Sequence, residues 1–233
     1  MKSFYFKIYI SVFFILLYSI SSSAQDNRFS FGVFPEASLS YKLNKVYSIT
    51  HKVETQHGIF DKQSQLNEEV EYSHILTDLQ TFIGRRINPF VKVDMGYQYR
   101  ILDGENTHRL IQQASFLQRE SRFRIGHRFR IDQTFFDQAK TLHRFRYRLK
   151  GQVPLQGFDL DPGEKYISIS NEIIYMTQSG EDDFENRLTA SLGFYFNDKN
   201  KFEIGLDYRT DDYLVDDRFR NRLWLKIGYY KSI

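Results

Sequence analysis

Between Arg122 and Lys150 two chemistries alternate with a period of two. Arg122, Arg124, Gly126, Arg128, Arg130 and Asp132 hold the even positions of the first run, and Phe123, Ile125, His127, Phe129, Ile131 and Phe135 the odd ones. After a short break, Arg144, Arg146, Arg148 and Lys150 alternate with Phe145, Tyr147, Leu149 and Val153. Successive side chains of a strand point to opposite sides, so the cations share one face and the rings and aliphatic groups the other. A helix would scatter both sets around its surface. Two environments satisfy such a hairpin. A soluble sandwich buries the apolar face and leaves the arginines in bulk water. A transmembrane barrel gives the apolar face to lipid and the arginines to a wet interior.

The rest of the chain favours the second. The period-two pattern recurs almost to the last residue. Phe29, Phe31, Val33, Ala37, Leu39 and Tyr41 share a phase, as do Val91, Val93, Met95, Tyr97, Tyr99 and Ile101, and later Leu188, Ala190, Leu192, Phe194 and Phe196. Eleven such segments can be traced, most about ten residues or longer. That suits a tilted membrane strand and exceeds the usual length in a soluble sheet. The segment from Asn67 to Arg86 is the least regular, with a slip near Asp78 that predicts a bulge or two shorter strands. Turns are expected at Asn44, Asn88, Arg119 to Ser121 and Asp198. Longer loops are expected at Gly58, Asp103, Asp137 to Lys140, Gly180 and Asp211. Alternating short and long connections suit short periplasmic turns and longer outer loops. Single-chain bacterial barrels have even strand numbers, so the expected fold is an all-β antiparallel transmembrane barrel of about 12 strands, within a range of 10–12.

Composition agrees. Aromatic residues make up 17% of the chain, and mean hydropathy is negative because the two faces cancel. Residues 1–24 read as a secretory signal peptide: Lys2 and Lys7, an apolar run from Ile8 to Ile20 too short for a comfortable span, and Ser22-Ser23-Ala24 before a cut at Gln25. Residues 25–233 then form one barrel domain in the outer membrane of a bacterial cell. Removal of two lysines and no acid takes the net charge from +3 to +1, which argues against a nucleic-acid partner. The chain has no cysteine, so thiolate metal sites, thiol nucleophiles and disulfides are excluded.

Several motifs resemble an uncharacterised family of bacterial outer-membrane barrels, catalogued as a domain of unknown function (DUF2490). They are His127 to Gln133, Arg144 to Leu149 with Pro154-Leu155 after it, Asn171-Glu172, and Asn186-Arg187 opening a strand. The chain departs from the family in having Asp132 where Glu is common, and Phe29 and Phe31 where an early Trp is frequent; its one Trp is Trp224. The resemblance implies an outer-membrane barrel and carries no activity with it.

Charges of inward phase are the candidate functional groups. Arg122, Arg124, Arg128, Arg130, Arg144, Arg146, Arg148 and Lys150 form a cationic wall. Asp132, Glu172, Asp94, Glu203 and Asp207 take the inward phase as counter-ions. One reading is a constriction that selects anions, as charged rings do in pores. The other is a closed structural or lipid-contacting barrel, stitched shut by ion pairs. Glu172 among arginines is expected to be a counter-ion rather than an acid–base catalyst. A third reading, an outer-membrane hydrolase acting on lipids or peptides at the outer rim, is the weakest: Ser168 and Ser170 point inward, whereas such an enzyme would place its nucleophile and base on the lipid side, so no catalytic residue is expected. His51, His127 and His143 fall on the apolar phase without ligand spacing on one face, so neither metal nor cofactor is expected. Two acidic stretches, Glu181 to Glu185 and Asp211 to Asp217, are expected as solvated loops lacking the spacing of a calcium loop. Expected partners are outer-membrane lipid, lipopolysaccharide and the barrel-insertion machinery; the sequence leaves oligomeric state open.

Overall fold

A computed structural model describes residues 28–64, 67–102, 104–120, 122–215 and 219–233; the expected signal peptide lies outside them. The described residues form no helix. They contain eleven strands: β1 (Arg28–Lys42), β2 (Tyr47–Ser64), β3 (Asn67–Asn88), β4 (Val91–Leu102), β5 (Thr107–Glu120), β6 (Phe123–Phe135), β7 (Leu142–Pro154), β8 (Glu164–Gln178), β9 (Glu181–Asn197), β10 (Asn200–Asp211) and β11 (Arg220–Ser232). Each pairs antiparallel with the next in sequence, and the sheet closes on itself.

The expected twelve strands are therefore eleven, and the expected all-antiparallel order has one exception. An up-and-down meander with an odd number of strands brings its first and last strands together running the same way. β1 and β11 accordingly pair in parallel, from Arg28 beside Arg220 to Ser40 beside Ser232. The Asn67 to Arg86 segment does not split. It lies within one strand of 22 residues. Its irregularity is a bulge: Gln56 faces Leu76 and His57 faces His74, leaving Ile75 unpaired. That extra residue switches the faces of β3 just before Asp78, and this is the slip the pattern registers. β4 pairs with β3 only from Leu76 onward, so the outer part of the β2–β3 hairpin projects beyond its neighbours.

Two rims result. At the lower rim lie the β1–β2, β3–β4, β5–β6, β7–β8 and β9–β10 connections and the end of β11. At the upper rim lie the other connections and the start of β1. The tight lower turns are built on asparagine: Asn44 Oδ1 accepts from the Val46 and Tyr47 amides at 2.8 Å, and Asn88 Oδ1 accepts from the Phe90 amide at 2.8 Å. The expected contrast between a short-turn end and a long-loop end does not hold. Residues 155–163 make a nine-residue connection at the lower rim, whereas β8 and β9 are joined at the upper rim by Ser179-Gly180 alone. Both of those residues have positive φ, 58° and 91°, as a two-residue hairpin of mirror-image type requires. The expected loop at Gly58 is likewise strand as far as Ser64.

The interior inverts that of a soluble domain. Among the described residues 21 buried side chains are polar or charged and only nine are hydrophobic. Asp132 is 0% exposed while Ile173 is 49% exposed. Three of the nine buried apolar groups, Trp224, Tyr166 and Phe82, are lumenal rings lying against glycines of the next strand. A Cβ on Gly32 would come within 2.7 Å of the Trp224 ring, and the Tyr166 ring occupies the equivalent space over Gly193. On the outer face, polar groups pair with one another. His127 Nδ1 is hydrogen-bonded to the Tyr147 hydroxyl at 2.9 Å, and amide pairs form between Gln112 and Gln133 and between Asn171 and Asn186. A hydroxyl on the adjacent strand thus accounts for a histidine of apolar phase.

The parallel seam is directly testable, since the chain has no cysteine. Val33 and Leu225 are outward cross-strand partners. Val33→Cys with Leu225→Cys is expected to cross-link within one chain through a reagent spanning about 5 Å, the separation of facing Cβ atoms. The readout is a mobility change on a denaturing gel. Folded protein that fails to cross-link would refute the closure.

Candidate functional site in the lumen

The alternation that makes the arginine hairpin also aims it. β6, β7 and β8 are neighbours in strict register, with Arg130 facing Arg146 and Arg148 facing Glu172. Seven of the eight cations expected in the wall lie on the inward phase of β6 and β7. Arg122 does not. It sits in the β5–β6 turn, exposed, with its guanidinium 5.6 Å from the ring of Phe158 in the β7–β8 connection. A turn residue has no strand phase to inherit, so counting in twos misplaces it.

Two buried carboxylates organise the wall. Asp132 accepts from Arg144 Nε at 2.6 Å and from Arg146 Nη1 at 3.4 Å, and Arg109 Nε stands 3.6 Å away. Glu172 accepts from Arg128 at 2.5 Å and from Arg146 at 2.7 Å. Arg146 thus bridges the two acids. The planar guanidinium carries several donors in one fork and can serve two carboxylates at once, which a lysine ammonium does less well. Arg130 has no acid in the network. It donates from Nε and Nη2 to Gln113 Oε1 at 3.0 and 2.7 Å and lies 5.6 Å from the Phe82 ring. Gln113 in turn donates to Asp94, which pairs with Lys92 at 2.6 Å and not with the arginine wall. Glu203 accepts from Tyr166 at 2.8 Å and from Lys150, across the lumen, at 3.4 Å. Asp207 is held by Arg209 at 2.5 Å and by Thr189 at 3.1 Å. Arg148 and Arg124 make no hydrogen bond or ion pair with any described residue.

Two further clusters escaped the reading by sequence. Near the upper rim, Glu185 takes a bidentate grip from Arg187 at 2.8 and 2.9 Å, and Arg222 joins Glu185 to Asp211. On β1, Glu36 stands 3.1 Å from both Lys52 and Lys226 and accepts from the Tyr230 hydroxyl. The signal was present, since these residues obey the same two-residue phase. Their charges are interrupted by glycine and aromatic positions and form no conspicuous run. The acidic stretch Glu181 to Glu185 is a correction as well. It is the first turnless part of β9, with Asp183 and Glu185 buried inside the barrel. Asp183 accepts from the Asp212 and Leu214 amides at 3.2 and 3.0 Å and so anchors the β10–β11 loop. Asp216 and Asp217 lie outside the described residues.

A cavity of about 690 Å³ runs through the lumen and is lined by every strand, from Asp212 and Arg220 at the upper rim to Lys199 and Ser232 at the lower. Its lining holds 17 Lys and Arg side chains against 11 Asp and Glu, a surplus of six positive charges; Asp132, buried behind the lining, lowers it to five. No group of three His, Asp or Glu side chains suited to a metal occurs among the described residues.

Removing one partner of a buried ionic cluster strands the other charge, at a cost of about 3–5 kcal/mol. Asp132→Ala, which strands Arg144 and leaves Arg146 only Glu172, is expected to cost that much. Arg148→Gln, which strands nothing, is expected to cost less than about 1 kcal/mol. Urea unfolding followed by the emission of Trp224, the only tryptophan and 1% exposed inside the barrel, measures both. Equal losses in the two variants would contradict the pairing.

No curated protein and no solved structure matches the chain. A family model described as "Protein of unknown function (DUF2490)" matches residues 31–229, from β1 to β11. That match spans nearly the whole barrel, and the chain belongs to this family.

Proposed function

We propose that the protein is an outer-membrane β-barrel giving small anions a narrow passage through its lumen. Two features support the membrane. The outward face is apolar and exposed, with Ile83, Met95, Phe129 and Ile173 among its residues. A strand such as β7, of 13 residues, climbs roughly 30 Å at the usual rise and tilt, close to the thickness of a hydrocarbon core. Lipid and lipopolysaccharide then cover that face, and the barrel-insertion machinery assembles it.

The passage rests on one observation. A single cavity touches both rims, and its lining carries a surplus of positive charge. Within low-dielectric walls such a surplus concentrates anions and repels cations. The opposing reading, a closed barrel without conductance, draws on the contacts that cross between distant strands: Lys150 to Glu203, and Arg130 over Phe82.

Current through the refolded protein in a planar bilayer under a potassium chloride gradient separates them. The expected result is small unitary steps with a reversal potential toward that of chloride. Arg148→Glu with Lys150→Glu is expected to shift that potential toward potassium without preventing insertion. Silence from protein shown by heat-modifiable gel mobility to be folded would establish the closed barrel instead. Sedimentation of the expressed protein with inner membranes or in the soluble fraction would remove the membrane reading.

A further inference from the structure

On the β7–β8–β9 wall, below the ion-pair network, a group of polar side chains faces the cavity with nothing to bond. Arg148, Gln152, Ser168, Ser170 and Ser191 all point inward, and none makes a side-chain hydrogen bond or ion pair with any described residue. They are contiguous. Gln152 is the cross-strand partner of Ser168, Ser168 of Ser191, and Lys150 of Ser170, while Arg148 lies two residues from Lys150 on the same face. Facing Cβ atoms of such pairs are about 5 Å apart, close enough for one small ligand to touch several.

This idleness contrasts with the surroundings. Glu172, directly opposite Arg148, is already held by Arg128 and Arg146, so Arg148 has no acid to serve. Ser168 is 4% exposed and Ser191 8%, and both face the cavity. Every free group here can donate, and no free carboxylate stands among them. We infer that this patch is a binding station for a small oxyanion of the phosphate or carboxylate type, taken by the Arg148 guanidinium and the Ser168, Ser170 and Gln152 donors, with Lys150 as a second cation. A guanidinium fork meets two oxygens at once, whereas a halide offers one spherical contact. The station therefore selects oxyanions over chloride. It deepens the anion reading of this lumen and rests on it.

The test is calorimetric titration of the folded mature protein in detergent micelles, with phosphate, acetate and chloride at constant ionic strength. Saturable binding of one phosphate per barrel is expected, with acetate weaker and chloride giving no saturable heat. Arg148→Gln is expected to weaken phosphate binding at least tenfold. Arg148→Lys, which keeps the charge and loses the fork, should fall between. Ser168→Ala with Ser170→Ala should weaken binding several-fold, and Arg122→Gln, outside the lumen, should leave it within twofold. The inference is overturned if the folded protein shows no saturable phosphate binding, or if Arg148→Gln binds as tightly as the parent. The pore and the station fail separately. Anion current without phosphate saturation removes the station alone, and phosphate binding without current removes the pore alone.

Discussion

Burial of charge is the constraint on which the rest of this barrel depends. A carboxylate removed from water costs several kcal/mol unless opposite charge and hydrogen bonds replace its hydration. Asp132 and Glu172 meet that demand only because β6, β7 and β8 hold one register, which sets Arg144 and Arg146 beside one acid and Arg128 beside the other. A slip of one residue would turn every guanidinium outward and every ring inward. The ionic clusters therefore act as register pins. Hydrophobic packing cannot do this alone, because in the membrane proposed above lipid would accept almost any apolar side chain at any height on the outward face.

The lumen divides its contents by side. Around β6 to β8 it is filled by long cationic side chains tied to acids. Along the β1–β11 seam rings join the ion pair of Glu36 and Lys226: Trp224 lies over Gly32, with Arg209 between Trp224 and Phe34 at 5.9 and 4.9 Å from their centres. Glycines on the inward phase make room for these rings, and the rings occupy space that water would otherwise hold. What stays open is a polar path bordered by both kinds of wall.

Much of this was legible from the alternation of faces, because a strand's side-chain period is a fixed property of its backbone. The barrel, the inward set from Arg124 to Lys150, and the counter-ions Asp132, Glu172, Asp94, Glu203 and Asp207 all follow from counting in twos. Which acid meets which base does not follow, because it depends on register between strands distant in sequence. Asp94 carries the inward phase, yet its partners are Lys92 and Gln113. Counting in twos also breaks wherever the backbone leaves the pleat. That is why Arg122 and the two-residue Ser179-Gly180 turn were misplaced, and why the bulge at Ile75 registers only as a slip near Asp78. Strand number was missed for another reason. Even parity is a regularity of known bacterial barrels and not a requirement of closure, and a parallel seam satisfies the same backbone hydrogen bonds.

That seam sets the order in which the wall can be completed. Ten of the eleven strand pairings join neighbours in sequence and can form as local hairpins. The eleventh joins Arg28 to Arg220, 192 positions apart, and carries the largest loop-closure entropy in the molecule. Until it forms, β1 and β11 each present an open hydrogen-bonding edge. The strand made first must therefore wait for the strand made last. The most vulnerable moment of assembly is the interval in which ten hairpin contacts are in place and the ring is still a curved sheet.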